Sequence, residues 1–269
     1  MTFWVLYDHL GKLVLANLLC SMVLVFPGWM ALNALLSEDA AIRLLMGLPL
    51  MIVTLGVLAP VGAAGIAYMA KVLIETRDGS LADFWTGIRR FWGRAICIGL
   101  LFTLITCSLA TSVWFYAHTL GQSLSWLGYG VSGLAAWCLI FELLVSLLVI
   151  PALVQKNGRL IETVKLASLL VLDNPLFAAG LAGQILALSA LLIIPPVFFL
   201  LYGAMVVVLA SSAYEMLARK YAAIEMQHTA EVQGVTATTA RAKTAAVVDD
   251  AQDDYLNRGF RDFLFPWKG

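Results

Sequence analysis

Long apolar runs are the feature that most constrains how this chain can fold. A helix needs about 20 apolar residues to cross a bilayer core of about 30 Å, and six runs come near that length. They cover positions 13 to 36, 46 to 70, 95 to 117, 128 to 151, 176 to 194 and 197 to 217. Hydrophobic residues make up 61% of the chain and charged residues 13%, whereas soluble domains average about 45–50% and about 25%. We therefore expect an all-α, polytopic membrane helix bundle with six transmembrane helices.

Proline and glycine subdivide two of these runs. The second run contains Pro60 followed by the small-residue string "GAAG" at 62 to 65, which indicates a kink and a close approach to a neighbouring helix. The pair Pro195 and Pro196 separates the fifth run from the sixth and indicates a tight hairpin there.

The placement of the basic residues predicts the orientation of the chain. If the amino terminus is cytoplasmic, only Arg43 of the 17 Lys and Arg residues falls on the outer side of the membrane. An excess of Lys and Arg in cytoplasmic loops is the usual signal of topology. Six spans in this orientation place both the amino and the carboxyl terminus in the cytoplasm.

Two cytoplasmic segments have the pattern of amphipathic elbow helices. In residues 80 to 93, apolar and aromatic side chains recur at helical spacing, and a second such segment follows the fourth run, in "NGRLIETVKLASLLVLDNPLFAAGLAGQ". A helix of this kind lies in the membrane interface, with its aromatic side chains in the lipid and its arginines at the phosphates. The residues expected at the interface and in contact with membrane lipids are Trp85, Arg89, Arg90, Trp92 and Arg94. Simple anchoring and specific recognition of an anionic lipid or a partner subunit are both open.

The composition changes after the sixth run. We expect a six-span bundle over 1–220, a flexible cytoplasmic linker over 221–252 and an amphipathic aromatic helix over 253–269. The residues expected to bind a partner through this last helix are Tyr255, Phe260, Phe263, Leu264 and Trp267. A membrane anchor and a docking peptide for another membrane protein are equally consistent with this pattern.

A few polar side chains interrupt the apolar runs. Glu142 lies near the middle of the fourth run, where a carboxylate costs about 3 kcal/mol on insertion scales and usually faces the bundle interior or a cavity. It is either a protonatable or substrate-contacting group or a structural hydrogen-bonding group. Asn17, Asn33 and Gln184 are further candidates, and amide hydrogen bonds between spans are their expected role.

Signatures of catalysis are missing from the sequence. It has no Walker A loop, GxGxxG fingerprint, HExxH, GxSxG or CxxC motif, and its four cysteines all lie inside apolar runs. We therefore expect no enzymatic activity, no cofactor and no metal site, and we expect no nucleic-acid partner.

Four stretches resemble the YesL-like family of bacterial integral membrane proteins, whose domain has no known function. They are "YDHLGKLVLANLLCSMVLVFPG" at 7 to 28, "DGSLADFWTGIRRFWGRAICIGLL" at 78 to 101, "VKLASLLVLDNPLFAAGLAGQ" at 164 to 184 and "SSAYEMLARKY" at 211 to 221. The resemblance covers about residues 3 to 221. It implies a multi-pass protein of the bacterial cytoplasmic (inner) membrane, in a family often associated with carbohydrate uptake, and it carries over no catalytic residue. The aromatic segment at the carboxyl end departs from the family and favours a partner.

Two functions are compatible with these patterns. The first is a non-enzymatic accessory or scaffold subunit of a bacterial inner-membrane complex, with a possible link to carbohydrate uptake. The alternative is a small transporter or permease component in which Glu142 and Gln184 line a polar path. The oligomeric state, the substrate and the partner are left open by the sequence.

Overall fold

Helices account for every regular element in the part of the chain that the computed structural model describes, residues 10–76, 79–120, 125–190 and 198–232. The helices are α1 (Leu10–Leu35), α2 (Ala40–Thr76), α3 (Leu81–Phe115), α4 (Ser125–Lys156), α5 (Leu160–Asp173), α6 (Pro175–Ser189) and α7 (Gly203–Val232). Short π-helical turns occur within α2, directly after α3 and directly before α7.

The helices confirm the predicted all-α bundle. Five of them, α1, α2, α3, α4 and α7, contain segments long and apolar enough to cross a membrane. The pair α5 and α6 is bent by 99° and counts as a sixth span if its two helices cross as one. The predicted hairpin at Pro195 and Pro196 lies outside the described residues.

Two compact units divide the chain. Residues Leu10–Ser211 form the larger one, and the described part of the smaller one starts at Ser212, within α7. In the smaller unit Arg219 pairs with Glu215 over 3.0 Å. The predicted linker from residue 221 is wrong at its start, because α7 continues to Val232. The last turns of α7, residues 221–232, contain several Ala and Glu residues, which are strong helix formers. These turns are too polar to be part of a membrane span.

Glycine contacts hold α2 against α3, which form the most extensive helix pair in the larger unit. A Cβ on Gly87 would lie 2.6 Å from Tyr68 Cβ and 3.2 Å from Gly65 Cα, and a Cβ on Gly99 would overlap Pro60 and the Gly56 carbonyl. The backbones therefore approach each other directly, as small residues permit in membrane helices. This confirms the close packing predicted for the "GAAG" segment.

The predicted kink at Pro60 takes the form of a change in helix type. Thr54–Leu58 is a π-helical turn inside α2, and the α-helix resumes at Ala59 and runs through Pro60 to Thr76. Proline cannot donate the usual hydrogen bond to the residue four positions earlier, and a local π turn is one way for a helix to accommodate it.

The first predicted elbow is not a separate helix. Ser80 caps the start of α3, where its backbone N–H donates to Asp83 Oδ2 over 2.7 Å, and the helix then runs without a break from Leu81 to Phe115. No proline interrupts this stretch, and Gly93 alone does not end a helix. The second elbow is confirmed as a separate helix, α5, because Asn174 leaves helical geometry and Pro175 begins α6.

Candidate functional site

A cleft between α2, α3 and α4 contains Glu142, the carboxyl group that the sequence indicated near the middle of the fourth apolar run. Its volume is about 420 Å³, and apolar side chains and the glycine contact at Gly99 form most of its wall. The polar residues on the wall are Thr103, Thr106, Ser146 and Glu142. Thr103 and Thr106 are three residues apart and so lie on one face of α3. The cleft therefore combines an apolar wall with a small polar patch around one carboxyl group.

Glu142 is buried, with 7% of its surface exposed. Its Oε1 lies 2.9 Å from Thr106 Oγ1, which also donates to the Phe102 carbonyl over 2.8 Å. A hydroxyl group has one proton, so Thr106 donates to one of these two oxygens at a time. Its Oε2 is buried and has no hydrogen-bond partner within the described residues.

The second carboxyl oxygen defines what the cleft can bind. Among the described residues, no Lys or Arg forms an ion pair with Glu142. A carboxylate without a cation is unfavourable in a membrane, and such groups usually mark paths for ions, protons or substrates. The arrangement can hold a proton, a small cation or an N–H donor at Oε2.

Gln184 is not brought to this cleft. It lies on α6 with its side chain exposed, so the structure differs from the predicted polar path shared with Glu142. The 99° bend between α5 and α6 sets the direction of α6, and this bend could not be derived from the apolar run alone.

Asn17 has the packing role that the sequence indicated. Its side chain is 1% exposed, and its Oδ1 accepts from the backbone N–H of Ala204 over 2.8 Å. Ala204 follows the π-helical turn Phe198–Tyr202, where the change in hydrogen-bond spacing frees backbone groups. Asn17 therefore links α1 to the first turn of α7.

Asn33 does not bond between helices. It is exposed near the end of α1, and its Nδ2 donates to the Trp29 carbonyl of the same helix over 2.8 Å. The expected hydrogen bond from the Asn33 amide to another span is therefore not made, because the side chain donates to a carbonyl of its own helix instead.

Arg94 forms its contacts within the protein, with the loop between α4 and α5. Its guanidinium donates to Asn157 Oδ1 over 2.8 Å and to the Gly158 carbonyl over 3.1 Å, and lies 5.0 Å from the centre of the Phe91 ring. Asn157 adopts a φ of 50°, in the left-handed region, and this turns the chain from α4 towards α5. Arg94 was predicted to contact lipid; in the structure it fixes the loop before α5.

The other four predicted interface residues lie on the exposed surface of α3, opposite a buried aromatic face that was not among the predicted residues. Trp85, Trp92, Arg89 and Arg90 are exposed, while Phe84 and Phe91 are buried. The exposed side chains can still meet lipid, but the helix is held by its buried aromatic face. The predicted partner-binding residues at 255 to 267 lie outside the described residues.

Sequence reasoning missed the hydrogen-bond partner of Glu142, Thr106, and its neighbour on the cleft wall, Thr103. The signal was the pair Thr103 and Thr106 inside the third apolar run, at the spacing of one helical turn. Their proximity to position 142, 36 residues beyond Thr106, depends on how α3 packs on α4.

The long apolar helices and the buried intramembrane carboxyl define the class: this chain is a multi-pass membrane protein. The described residues contain no group of three or more His, Cys, Asp or Glu side chains that could hold a metal ion. No protein-family model, curated protein or solved structure matches the chain.

Proposed function

We propose that this chain is a small, non-enzymatic transporter or permease component in which Glu142 binds a proton or a cationic group along a polar path. The observation that carries the proposal is the buried Oε2 atom of Glu142, which has no partner among the described residues and borders a cleft of about 420 Å³. A purely structural carboxyl would be expected to use both oxygens in contacts between helices.

Cys107 gives a direct test of water access to this cleft. It lines the cleft, whereas Cys138 is exposed on α4 away from it. In liposomes containing single-cysteine variants of the full chain, a membrane-impermeant cationic thiol reagent should modify Cys107 and leave Cys138 unmodified. An unreactive Cys107, or equal rates at the two positions, would refute a water-filled path.

The role of Glu142 is tested in the same liposomes. Glu142→Gln should slow the reaction of Cys107 with the cationic reagent about tenfold and leave its reaction with a neutral reagent of similar size unchanged, since only the charge attraction is lost. Glu75→Gln is the matched control, because Glu75 is an exposed carboxylate paired with Lys71. Equal slowing by both substitutions would contradict a local effect of Glu142.

The proposed location is the bacterial cytoplasmic membrane, with both termini in the cytoplasm. The distribution of Lys and Arg supports this orientation, since only Arg43 would lie outside. The resemblance to the YesL-like family supports a bacterial origin and an association with carbohydrate uptake.

A second candidate function is that of an accessory or scaffold subunit of a membrane complex. Gln184 favours it, because an exposed amide on a membrane helix finds hydrogen-bond partners most easily on a neighbouring helix. The aromatic pattern of residues 253–269 is a second reason to expect a partner, contacted through Tyr255, Phe260, Phe263, Leu264 and Trp267.

Co-purification tests the second candidate. The full chain, a truncation ending at Tyr221, Gln184→Leu and Glu142→Gln would be purified in nanodiscs, and associated proteins identified by mass spectrometry. A scaffold should retain a stoichiometric partner in the full chain and lose it in the truncation, while Glu142→Gln leaves the partner bound. If all four forms purify alone, the scaffold function is refuted.

A further inference from the structure

Three hydrogen bonds define how α3 and α4 lie side by side in the wall of the Glu142 cleft. They join Val113 to Ser132, Thr106 to Glu142 and Arg94 to Asn157. The residue numbers fall along α3 as they rise along α4, so the two helices are antiparallel. Thr103, one turn before Thr106, therefore lies at about the level of Ser146, one turn after Glu142.

The carboxyl group of Glu142 lies at one end of the cleft. The lining residues extend from Cys107 back to Ile98 on α3 and from Glu142 forward to Ile150 on α4. Eight positions separate Thr106 from Ile98, which is about 12 Å along a helix. The cleft therefore extends from Glu142 in one direction, towards the beginning of α3 and the end of α4.

Hydroxyl groups lie next to the carboxyl at this end of the cleft. Thr103 has no hydrogen-bond partner for its Oγ1 within the described residues, and Ser146 donates to the Leu143 carbonyl over 2.7 Å. Both hydroxyl oxygens can therefore accept a hydrogen bond, as can the Oε2 atom of Glu142. The residues that line the cleft include no Lys or Arg that would occupy these acceptors.

The number and kind of these acceptors fit an organic ammonium group. A primary ammonium has three N–H donors, whereas hard metal ions such as Ca²⁺ and Mg²⁺ take about six oxygen ligands or more. Glu142 is the one ionisable carboxyl on the wall, so it can balance one positive charge. The rest of the wall is mostly apolar, and the volume of about 420 Å³ lies within the usual range of sites for small organic molecules, about 300–1,000 Å³.

We propose that the Glu142 cleft binds a monovalent organic ammonium that carries an apolar body, such as an arylalkylamine. The ammonium group donates to Glu142 Oε2 and to the hydroxyl oxygens of Thr103 and Ser146. The apolar body lies in the part of the cleft lined by Gly99 and Ile150. This inference rests on the proposed transport function, because it names the cationic group that Glu142 binds.

Equilibrium binding to the full chain tests this site. The purified protein in phosphatidylcholine nanodiscs would be titrated with radiolabelled 2-phenylethylamine, with empty nanodiscs as the background, and we expect one bound amine per chain. As competitors, 2-phenylethanol lacks the charge and methylammonium lacks the apolar body, so each should compete at least about tenfold less well than unlabelled amine. Equal competition by 2-phenylethanol, by methylammonium or by sodium ions would overturn the assignment to an organic ammonium.

Isosteric variants test the polar end of the cleft. Glu142→Gln should weaken binding of the amine at least about tenfold, because the charged acceptor is lost, and Thr103→Val should weaken it about threefold, because one hydroxyl acceptor is lost. Thr111→Val is the matched control, since the Thr111 hydroxyl is exposed on the same helix and donates to the Cys107 carbonyl. Equal affinities of Thr103→Val and Thr111→Val, or unchanged binding in Glu142→Gln, would overturn the proposed contacts.

Cys107 separates the failure of this inference from the failure of the proposed function. If Cys107 reacts with the water-soluble thiol reagent but no amine is retained, the ammonium assignment is refuted and the water-filled path stands. If the amine is retained but Cys107 is unreactive, the transport path is refuted and the binding site stands.

Discussion

At the scale of single residues, the buried polar groups have two different roles. Asn17 uses its Oδ1 to satisfy a backbone N–H on another helix, whereas the Oε2 atom of Glu142 is buried without a partner among the described residues. Both residues are polar positions within apolar runs, and the sequence alone does not distinguish their roles. The difference between them lies in the groups that the fold places opposite each oxygen.

Removing the Asn17 side chain should destabilise the protein. Asn17→Ala leaves the Ala204 N–H without its acceptor in a buried site, which we expect to lower the free energy of unfolding by about 1 to 2 kcal/mol. Asn33→Ala on the same helix removes only an exposed bond within α1 and should change the free energy by less than about 0.5 kcal/mol. Unfolding in mixed micelles measures both values, and equal values for the two variants would contradict the assigned role of Asn17.

At the scale of helices, α2 and α3 are joined by glycines at the points of closest approach. Gly65 faces Gly87, and Gly56 faces Gly99. The pattern of small residues in α2 was visible in the sequence, but the matching glycines in α3 were not assigned to it, because the elbow prediction divided α3 into two parts. The charged and aromatic start of α3 suggested an interfacial helix, although nothing in residues 81–115 breaks a helix.

A methyl group added at the closest contact should separate the two helices. Gly87→Ala would place a Cβ 2.6 Å from Tyr68 Cβ, and we expect a loss of about 1 to 3 kcal/mol of unfolding free energy. Gly93→Ala is the matched control on the same helix, since nothing lies within 4 Å of its added Cβ. The free energy of unfolding of Gly93→Ala should be unchanged, or up to about 1 kcal/mol higher because alanine has the greater helix propensity. Thermal unfolding in detergent compares them, and similar stability of the two variants would argue against tight glycine packing.

At the scale of the whole molecule, the membrane-spanning character was the most predictable property. Apolar length alone located a described helix within each of the six predicted runs, because a backbone in lipid has few alternatives to a helix. The course of α5 and α6 was less predictable, since the bend at Asn174 and Pro175 determines whether the pair crosses as one span. The contact between Thr106 and Glu142 was not predictable, because it joins two helices through tertiary packing.

The crossing of α5 and α6 can be determined with reporters at both ends of the chain. We expect green fluorescent protein to fluoresce at either terminus and alkaline phosphatase to be inactive at either terminus, because six spans together with the Lys and Arg distribution predict that both ends are cytoplasmic. If green fluorescent protein fluoresces at the amino terminus but alkaline phosphatase is active at the carboxyl terminus, the chain has five spans, and α5 and α6 lie on one side of the membrane.

The glycine contacts between α2 and α3 also have a mechanical consequence. The glycines have no side chain that could change rotamer, and Gly87 meets Gly65 and Gly99 meets Gly56 at these contacts. We therefore expect α2 and α3 to move together as one rigid pair. The Glu142 carboxyl is attached to α4, the third wall of the same cleft. We therefore expect any widening of this cleft to come from displacement of α4, with α2 and α3 as the fixed frame.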